Sequence, residues 1–173
     1  KLNVDVSIVN SNNELNIDQF KAWQPEFKNA EFIMNKVFKV DREVQKMSKS
    51  KFNVVNPDDI CDNYGADTLR LYEMFLGPIE QSKPWNTNGI SGVHNFLNKV
   101  WRLFFNDNKL VISESKPDKE SLKILHGTIK KINEDIESFS FNTCVSALMI
   151  LVNKLNETKC HSRTVLEDLI VLL

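Results

Sequence analysis

A short lysine-rich segment is the part of this sequence whose residue types best suit chemistry. The run Lys46-Met47-Ser48-Lys49-Ser50 places two ammonium groups three positions apart, with hydroxyl groups beside them. Lysines act as mobile point charges on a polyphosphate, and serine hydroxyls and loop N–H groups add hydrogen bonds to phosphate oxygens. The same composition is also typical of a solvated basic turn. From these residues alone, phosphate binding and a plain surface turn both remain open.

Composition limits the other classes of function. The chain has 173 residues, 42% hydrophobic and 26% charged, which predicts a soluble globular protein with one ordinary core or two small ones. A formal net charge of -1 excludes a globally basic nucleic-acid binder. Positive charge is instead concentrated locally, at Lys36, Lys39, Arg42, Lys46, Lys49 and Lys51. Phosphate contacts should therefore be confined to that stretch.

Neither a membrane span nor a metal site is predicted. The best apolar run, 165–173, is interrupted by Glu167 and Asp168, so it is too short and too charged to cross a bilayer. The three cysteines are scattered, and the pair Cys160-His161 is adjacent rather than at metal-ligand spacing. These features predict a reduced, cytoplasmic setting and no metal ligands.

The segment before the lysines is predicted to contain β structure. Apolar residues alternate with polar ones over 2–8, which is the period of a half-buried strand, and the asparagine-rich stretch 10–13 then supplies a turn. A second strand-like pair covers 31–34 and 36–40, as a hairpin around Asn35.

Two short helices are predicted after the lysines. Asn56 is a good N-cap and Pro57 suits the first helical position, so a helix should begin here and end at Gly65. Asp67 is expected to cap a second helix, which Gly77-Pro78 stops.

From Gly92 onward, apolar residues recur at helical spacing and predict an antiparallel bundle. Trp101 and Phe104-Phe105 are expected in its core, because they lie on or beside the apolar stripe. A polar break covers 106–118, and further helices are expected over 122–139, 142–155 and from Thr164 on. The last pattern stops without a C-cap, which predicts that the chain is a piece of a longer protein.

The lysine segment resembles the KMSKS signature of class I aminoacyl-tRNA synthetases. Asn56-Pro57-Asp58-Asp59, the run 64–70 and Trp101 follow in the order of that family. Within class I, the chain looks like the leucyl-tRNA synthetases rather than the valine, isoleucine or methionine enzymes; this rests on Met74 to Pro78, Trp85, Gly89, Gly92, Phe96-Leu97 and Val100-Trp101-Arg102. The other signature of the family, His-Ile-Gly-His, is absent.

The resemblance implies a mainly α fold with a small β-containing N-terminal part. Residues 1–45 are expected to form the β-rich end of a catalytic domain or a leucine-specific insertion. Residues 46–90 are expected to form the KMSKS loop and stem-contact fold. Residues 91–173 are expected to form a truncated helical domain of the anticodon-binding type.

The resemblance also implies a leucine-tRNA ligase, which forms leucyl-adenylate from leucine and ATP and transfers the leucyl group to tRNA(Leu). Lys46 and Lys49 are expected to neutralise the ATP phosphates, and Met47, Ser48 and Ser50 to shape the loop around ATP. ATP is expected as its Mg²⁺ complex, a substrate. DNA and membranes are not expected as partners.

Two arginines are candidates for contacts with tRNA, and two other functions remain open. Arg70 and Arg102 are candidates for tRNA phosphate contacts, although Arg70 could equally pair with Asp67 or Glu73. The chain alone is expected to be inactive, because the leucine pocket lies mostly outside it. One alternative is another class I synthetase of the same subgroup. The other is a non-catalytic tRNA-binding helical module.

Overall fold

The computed structural model describes residues 2–33 and 37–173. Backbone packing divides the chain into two compact units, Lys1–Asn56 and Pro57–Leu173. We call them the N-terminal unit and the helical unit. The division of the chain into functional parts at 45/46 and 90/91 is a separate question and stays a prediction.

The described part of the N-terminal unit is built from short turns around an aromatic core. Its α-helix, α1, is Ile17–Trp23, and 3-10 helices cover Val6–Ile8, Pro25–Phe27 and Lys49–Lys51. Helix α1 begins after Asn16, whose side chain accepts a hydrogen bond from the Gln19 N–H at 3.0 Å. The buried residues are Ile8, Leu15 and Phe20. With so small a core, the unit depends on the packing of its aromatic rings.

The predicted strand over residues 2–8 is wrong. Val6–Ile8 forms a 3-10 helix, because the Asp5 carboxylate accepts the Ser7 N–H at 2.9 Å and so offers the backbone a local alternative to a sheet ladder. The β character described in this unit consists of the isolated bridges Val9↔Leu15 and Glu14↔Lys39.

The predicted asparagine-rich turn is confirmed. Asn10 Oδ1 accepts the Asn12 N–H at 2.9 Å, and Asn13 adopts a left-handed conformation with φ 62°. The predicted hairpin covers 31–34 and 36–40 around Asn35, and its residues 34–36 lie outside the described part of the chain. The described flank 37–40 pairs with residues 13–15 instead, through the Glu14↔Lys39 bridge.

The helical unit confirms the predicted change to helical structure. Its helices are α2 Pro57–Tyr64, α3 Ala66–Phe75, α4 Ile90–Phe104, α5 Lys119–Glu137, α6 Phe141–Glu157 and α7 Arg163–Leu172. The cap of α3 is Gly65, with φ 87°, and not Asp67, which lies in the first turn. Glycine suits this link because the backbone between α2 and α3 needs a positive φ.

A β-hairpin occupies part of the predicted polar break. Strands β1, Phe105–Asn106, and β2, Lys109–Leu110, pair antiparallel across Asp107 and Asn108, whose φ values are 48° and 59°. Positive φ at both central residues is the geometry of a two-residue type I′ turn. Within the described residues, the two-stranded sheet therefore lies after α4 rather than near the N-terminus, where the sequence predicted β structure.

Contacts between the helices give their directions. Ser121 meets Thr158 and Asp135 meets Thr143, so α5 and α6 run antiparallel. Lys99 Nζ donates to Asn153 Oδ1 at 2.7 Å. The Leu103 carbonyl contacts His161, farther along both segments, so α4 and α6 point the same way. Helices α4, α5 and α6 therefore alternate in direction, as an antiparallel bundle requires.

The core of the helical unit is continuous, but Trp101 is not in it. Leu103, Leu151 and Leu166 are fully buried, whereas Trp101 is 58% exposed. The core face of α4 passes through Val100 and Leu103, and Trp101 is turned away from it. Its ring stacks on the half-buried Phe105, with ring centroids 4.3 Å apart. The expectation of a buried Trp101 is therefore wrong, while Phe104 does pack against the core.

Candidate functional site

The segment Lys46–Ser50, here the lysine loop, leads from extended backbone into a tight turn. Ser48 is extended, with φ -155°, and caps the 3-10 helix Lys49–Lys51. The turn closes through two backbone hydrogen bonds, from the Lys51 N–H to the Ser48 carbonyl at 3.0 Å and from the Phe52 N–H to the Lys49 carbonyl at 3.2 Å. The lysine side chains thus start from a defined backbone.

The Asn53 side chain ties the first half of the loop to the segment that follows the turn. Its Oδ1 accepts the Ser48 N–H at 2.8 Å, and its Nδ2 donates to the Lys46 carbonyl at 3.3 Å. Within the loop, the hydroxyl groups of Ser48 and Ser50 lie 2.9 Å apart. The sequence reasoning did not select Asn53. The available signal was an amide close behind the lysines, since an amide can both accept from and donate to nearby backbone groups.

The cations of the loop are available for binding. Lys46 and Lys49 are exposed, and neither forms an ion pair with any residue of the described ranges 2–33 and 37–173. Arg42, from the same basic stretch, is different, because its guanidinium donates to Asn13 Oδ1 at 2.7 Å and to the Asn10 carbonyl at 3.1 Å. The structure therefore separates a structural cation, Arg42, from two loop cations that can meet a ligand.

The loop ends on an aromatic anchor. Phe52 has φ 54°, and its carbonyl accepts the Val6 N–H at 3.1 Å. Its ring meets the ring of Trp23 edge to face, with centroids 4.7 Å apart and an interplanar angle of 85°. Trp23 in turn packs on Phe27, with centroids 5.9 Å apart. The position of the loop is thus tied to the aromatic core of the N-terminal unit.

The two candidate tRNA contacts lie in the other unit. Arg70 is on α3 and Arg102 on α4, and both side chains are exposed. Arg70 forms no ion pair with Asp67, Glu73 or any other residue in the described part of the chain. The alternative of a salt bridge within α3 is therefore not realised.

Outside the lysine loop, the described chain has neither a metal site nor a membrane-spanning helix, and it has one cavity of note. No group of three or more His, Cys, Asp or Glu residues is placed to hold a metal ion within 2–33 and 37–173. In those same ranges, no helix is both long enough and apolar enough to span a bilayer. A cavity of about 340 Å³ in the N-terminal unit is lined by Ile8, Asn10, Leu15 and Phe38 among others, and residues of the lysine loop do not line it.

Similarity to known proteins agrees with the motif. The family model "tRNA synthetases class I (I, L, M and V)" matches residues 22–84. This range includes the lysine loop, Asn53 and the aromatic pair Phe52 and Trp23. The leucine-tRNA ligase of Flavobacterium johnsoniae is 62% identical over 99% of this chain, and the chain covers 18% of that relative. The leucine-tRNA ligase of Cytophaga hutchinsonii is 59% identical over 99% of the chain, which covers 19% of it. The resemblance to leucyl-tRNA synthetases is confirmed.

A solved structure extends the likeness to three dimensions. The ternary complex of Agrobacterium radiobacter K84 LeuRS with tRNA and LeuAMS matches 74% of this chain and 18% of its own, at a TM-score of 0.54 and 28% identity. The chain thus spans about a fifth of the length of the leucyl-tRNA synthetases that it matches.

Proposed function

We propose that this chain supplies the ATP-phosphate loop and tRNA-contacting helices of a leucine-tRNA ligase. The observation that carries the proposal is the pair of exposed lysines, Lys46 and Lys49, on a loop that the Asn53 side chain ties down, within a sequence 62% identical to such a ligase. In the whole protein, ATP as its Mg²⁺ complex, leucine and tRNA(Leu) are the substrates, and the cytoplasm is the compartment.

In the adenylation step, a leucine carboxylate oxygen attacks the α-phosphate of ATP. The bond from that phosphorus to the bridging oxygen breaks, and the electron pair leaves with pyrophosphate. Negative charge grows on the leaving group, so cations held near it lower the barrier more than they tighten ground-state binding. Lys46 and Lys49 supply that charge, and the Met47 backbone and the Ser48 and Ser50 hydroxyls shape the loop around the phosphates.

The helical unit contributes to tRNA binding. Arg70 and Arg102 are exposed cations on α3 and α4, suited to contacts with backbone phosphates. Such contacts fix the register of a nucleic acid without reading its sequence. We place these two residues in the tRNA interface and assign them no part in adenylation.

The test is the substitution Lys49→Ala in the full-length ligase. Losing one preorganised charge-stabilising donor costs roughly 10²- to 10³-fold in rate, so the single-turnover rate of leucyl-adenylate formation should fall by about that factor at saturating ATP. Lys49→Arg should restore the rate only in part, because a planar guanidinium does not place charge where a compact ammonium does.

The matched control is Lys28→Ala. Lys28 is another exposed lysine of the N-terminal unit, and it also lies at the edge of a 3-10 helix, Pro25–Phe27. It should leave the rate within about twofold of wild type, as expected for an exposed side chain outside the site. A Lys49→Ala rate that matches the control would remove Lys49 from the mechanism. The 173-residue chain alone should show no leucine-dependent ATP-pyrophosphate exchange.

A further inference from the structure

We propose that Trp23 is a positioning residue for the lysine loop and acts on it through Phe52. The proposal concerns the backbone geometry of the loop, and its consequence for adenylation rests on the function proposed above. Three features of the N-terminal unit carry it: the conformation of Phe52, the ring packing that holds that conformation, and the link from Phe52 to the lysines.

The conformation of Phe52 needs support from its surroundings. Its φ of 54° lies in the left-handed region, which is a genuine outlier for a bulky residue. Such a conformation is unfavourable for a side chain with a Cβ atom and persists where tertiary contacts determine it. Glycine would adopt this conformation without that cost. A phenylalanine at position 52 therefore indicates that its aromatic ring makes a contact that glycine could not make.

Trp23 provides the support. The edge-to-face geometry, with centroids 4.7 Å apart and an angle of 85°, is a favourable arrangement for two aromatic rings. Trp23 is itself held within the aromatic core, because its ring packs with Phe20 at 6.2 Å and with Phe27 at 5.9 Å. The carbonyl of Phe52 is fixed as well, by the Val6 N–H. Phe52 is therefore held by its ring and by its backbone.

Phe52 is joined directly to the machinery of the loop. Its own N–H closes the 3-10 turn on the Lys49 carbonyl. The next residue, Asn53, carries the amide that accepts from the Ser48 N–H and donates to the Lys46 carbonyl. Any rotation at Phe52 thus moves the Asn53 amide and both lysine-bearing backbone segments together. Trp23 therefore positions the two lysines through Phe52 and Asn53.

The first test measures the opening of the loop by limited trypsin digestion of the full-length ligase. Trypsin cleaves after Lys46, Lys49 and Lys51, and cleavage follows the population of the open loop when opening and closing are fast. Losing an aromatic pair should raise that population roughly 2- to 12-fold. Trp23→Leu should therefore speed cleavage in the loop by that factor, relative to cleavage after Lys109 in the helical unit.

Phe27→Leu is the matched control for this test. Phe27 packs with Phe20 and Trp23 in the same core, and its ring pairs do not include Phe52. If Trp23→Leu raises loop cleavage no more than Phe27→Leu does, the proposal is overturned. Should Trp23→Leu not fold, Phe52→Leu decides, since it removes the aromatic edge and leaves the core intact. Faster cleavage in that variant supports the anchor, and an unchanged rate overturns it.

A double-mutant cycle tests whether Trp23 works through Phe52. Phe52→Gly keeps the positive φ and removes the ring. Adding Trp23→Leu to the Phe52→Gly variant should therefore cause little further opening of the loop. Full additivity of the two substitutions would overturn the proposal. Trp23→Phe, which retains an aromatic ring, should restore most of the protection that Trp23→Leu loses.

The catalytic measurement separates this proposal from the function on which it rests. Trp23→Leu should lower kcat for ATP-pyrophosphate exchange roughly 2- to 12-fold and leave the KM for leucine unchanged. If Lys49→Ala has no effect, the proposed function fails, while the trypsin results still decide the anchor. If Lys49→Ala slows adenylation but Trp23→Leu behaves like Phe27→Leu in both assays, the anchor alone fails.

Discussion

The cations of the lysine loop differ from the ion-paired cations of the helical unit. In the helical unit, Lys131, Lys154 and Arg163 form ion pairs, for example Lys154 with Glu120 at 2.8 Å. In the N-terminal unit, Lys46 and Lys49 are exposed and form no ion pair with a described residue. A cation already paired within a fold is poorly placed to meet a ligand phosphate. The comparison therefore agrees with the ATP-phosphate role that we propose for the lysine loop.

The units also differ in how they are held together. The helical unit has a continuous aliphatic core from several helices, whereas the N-terminal unit has few buried residues and relies on paired rings. Burial of apolar surface is the main source of stability in both cases. We expect the helical unit to carry most of the stability and the N-terminal unit to carry most of the sensitivity to loop geometry.

The largest expected effect on stability is that of Leu151→Ala, which tests the contrast between the two cores. Leu151 is fully buried in α6, and truncating such a side chain costs about 2–5 kcal/mol through lost burial and a residual cavity. Val44, 81% exposed in the N-terminal unit, gives the comparison, because Val44→Ala should change the free energy of unfolding by no more than about 0.5 kcal/mol. Urea denaturation of the 173-residue chain measures both. Similar effects from the two substitutions would contradict the contrast.

A smaller effect is expected at Gly89. A Cβ atom there would lie 2.6 Å from the Tyr72 hydroxyl oxygen and 3.2 Å from two ring carbons. Tyr72 is buried and donates to the Asn86 carbonyl, so it has little room to move. Gly89→Ala should therefore destabilise the helical unit by about 1–3 kcal/mol, as overpacking does.

Gly92→Ala is the matched control for Gly89→Ala. Gly92 lies in α4, and no atom that its Cβ would meet is within 4 Å. Because alanine is the better helix former, this substitution should be neutral or stabilising by up to about 1 kcal/mol. Thermal unfolding distinguishes the pair, and equal shifts in Tm would show that the approach of Tyr72 is not what requires glycine at position 89.

The smallest effect concerns pH and the buried Asp135. The Thr143 hydroxyl donates to Oδ2 at 2.6 Å and Lys131 Nζ lies 2.9 Å away, and together they hold the pKa of Asp135 below its ordinary value against the opposing effect of burial. A lowered folded-state pKa gives stability that is fully present above the unfolded pKa of about 3.9 and is lost as pH falls through the folded value.

The Asp135→Asn variant isolates this contribution. It should lose part of the acid dependence of unfolding below about pH 4, because an amide does not titrate there. Its stability relative to wild type should therefore improve as pH falls. Chemical denaturation at several pH values provides the measurement. A wild-type and variant difference that stays constant from neutral pH to pH 3 would argue against a lowered pKa.

Much of the helical unit follows from local sequence. Pro57 and Gly65 mark the ends of α2, and the apolar periodicity of α5 and α6 agrees with the observed helices. The hairpin after α4 was missed because Asp107-Asn108 replaces the more familiar glycine-containing turns. Helices are predictable where neighbouring residues alone satisfy the backbone, and the strand predicted over 2–8 failed because pairing needs a distant partner.

The sequence by itself determined the chemical groups of the lysine loop, because two lysines and two serines lie within Lys46–Ser50. The geometry was decided by tertiary structure. The backbone position of the loop depends on contacts of Asn53, Phe52 and Trp23. The contact of Trp23 with Phe52 joins residues far apart in the chain. Tertiary structure also decided which cations stay available, by engaging Arg42 and leaving Lys49 exposed. Residue types fix which interactions are possible, but long-range packing chooses among them, because each group can make only the contacts that the fold brings within reach.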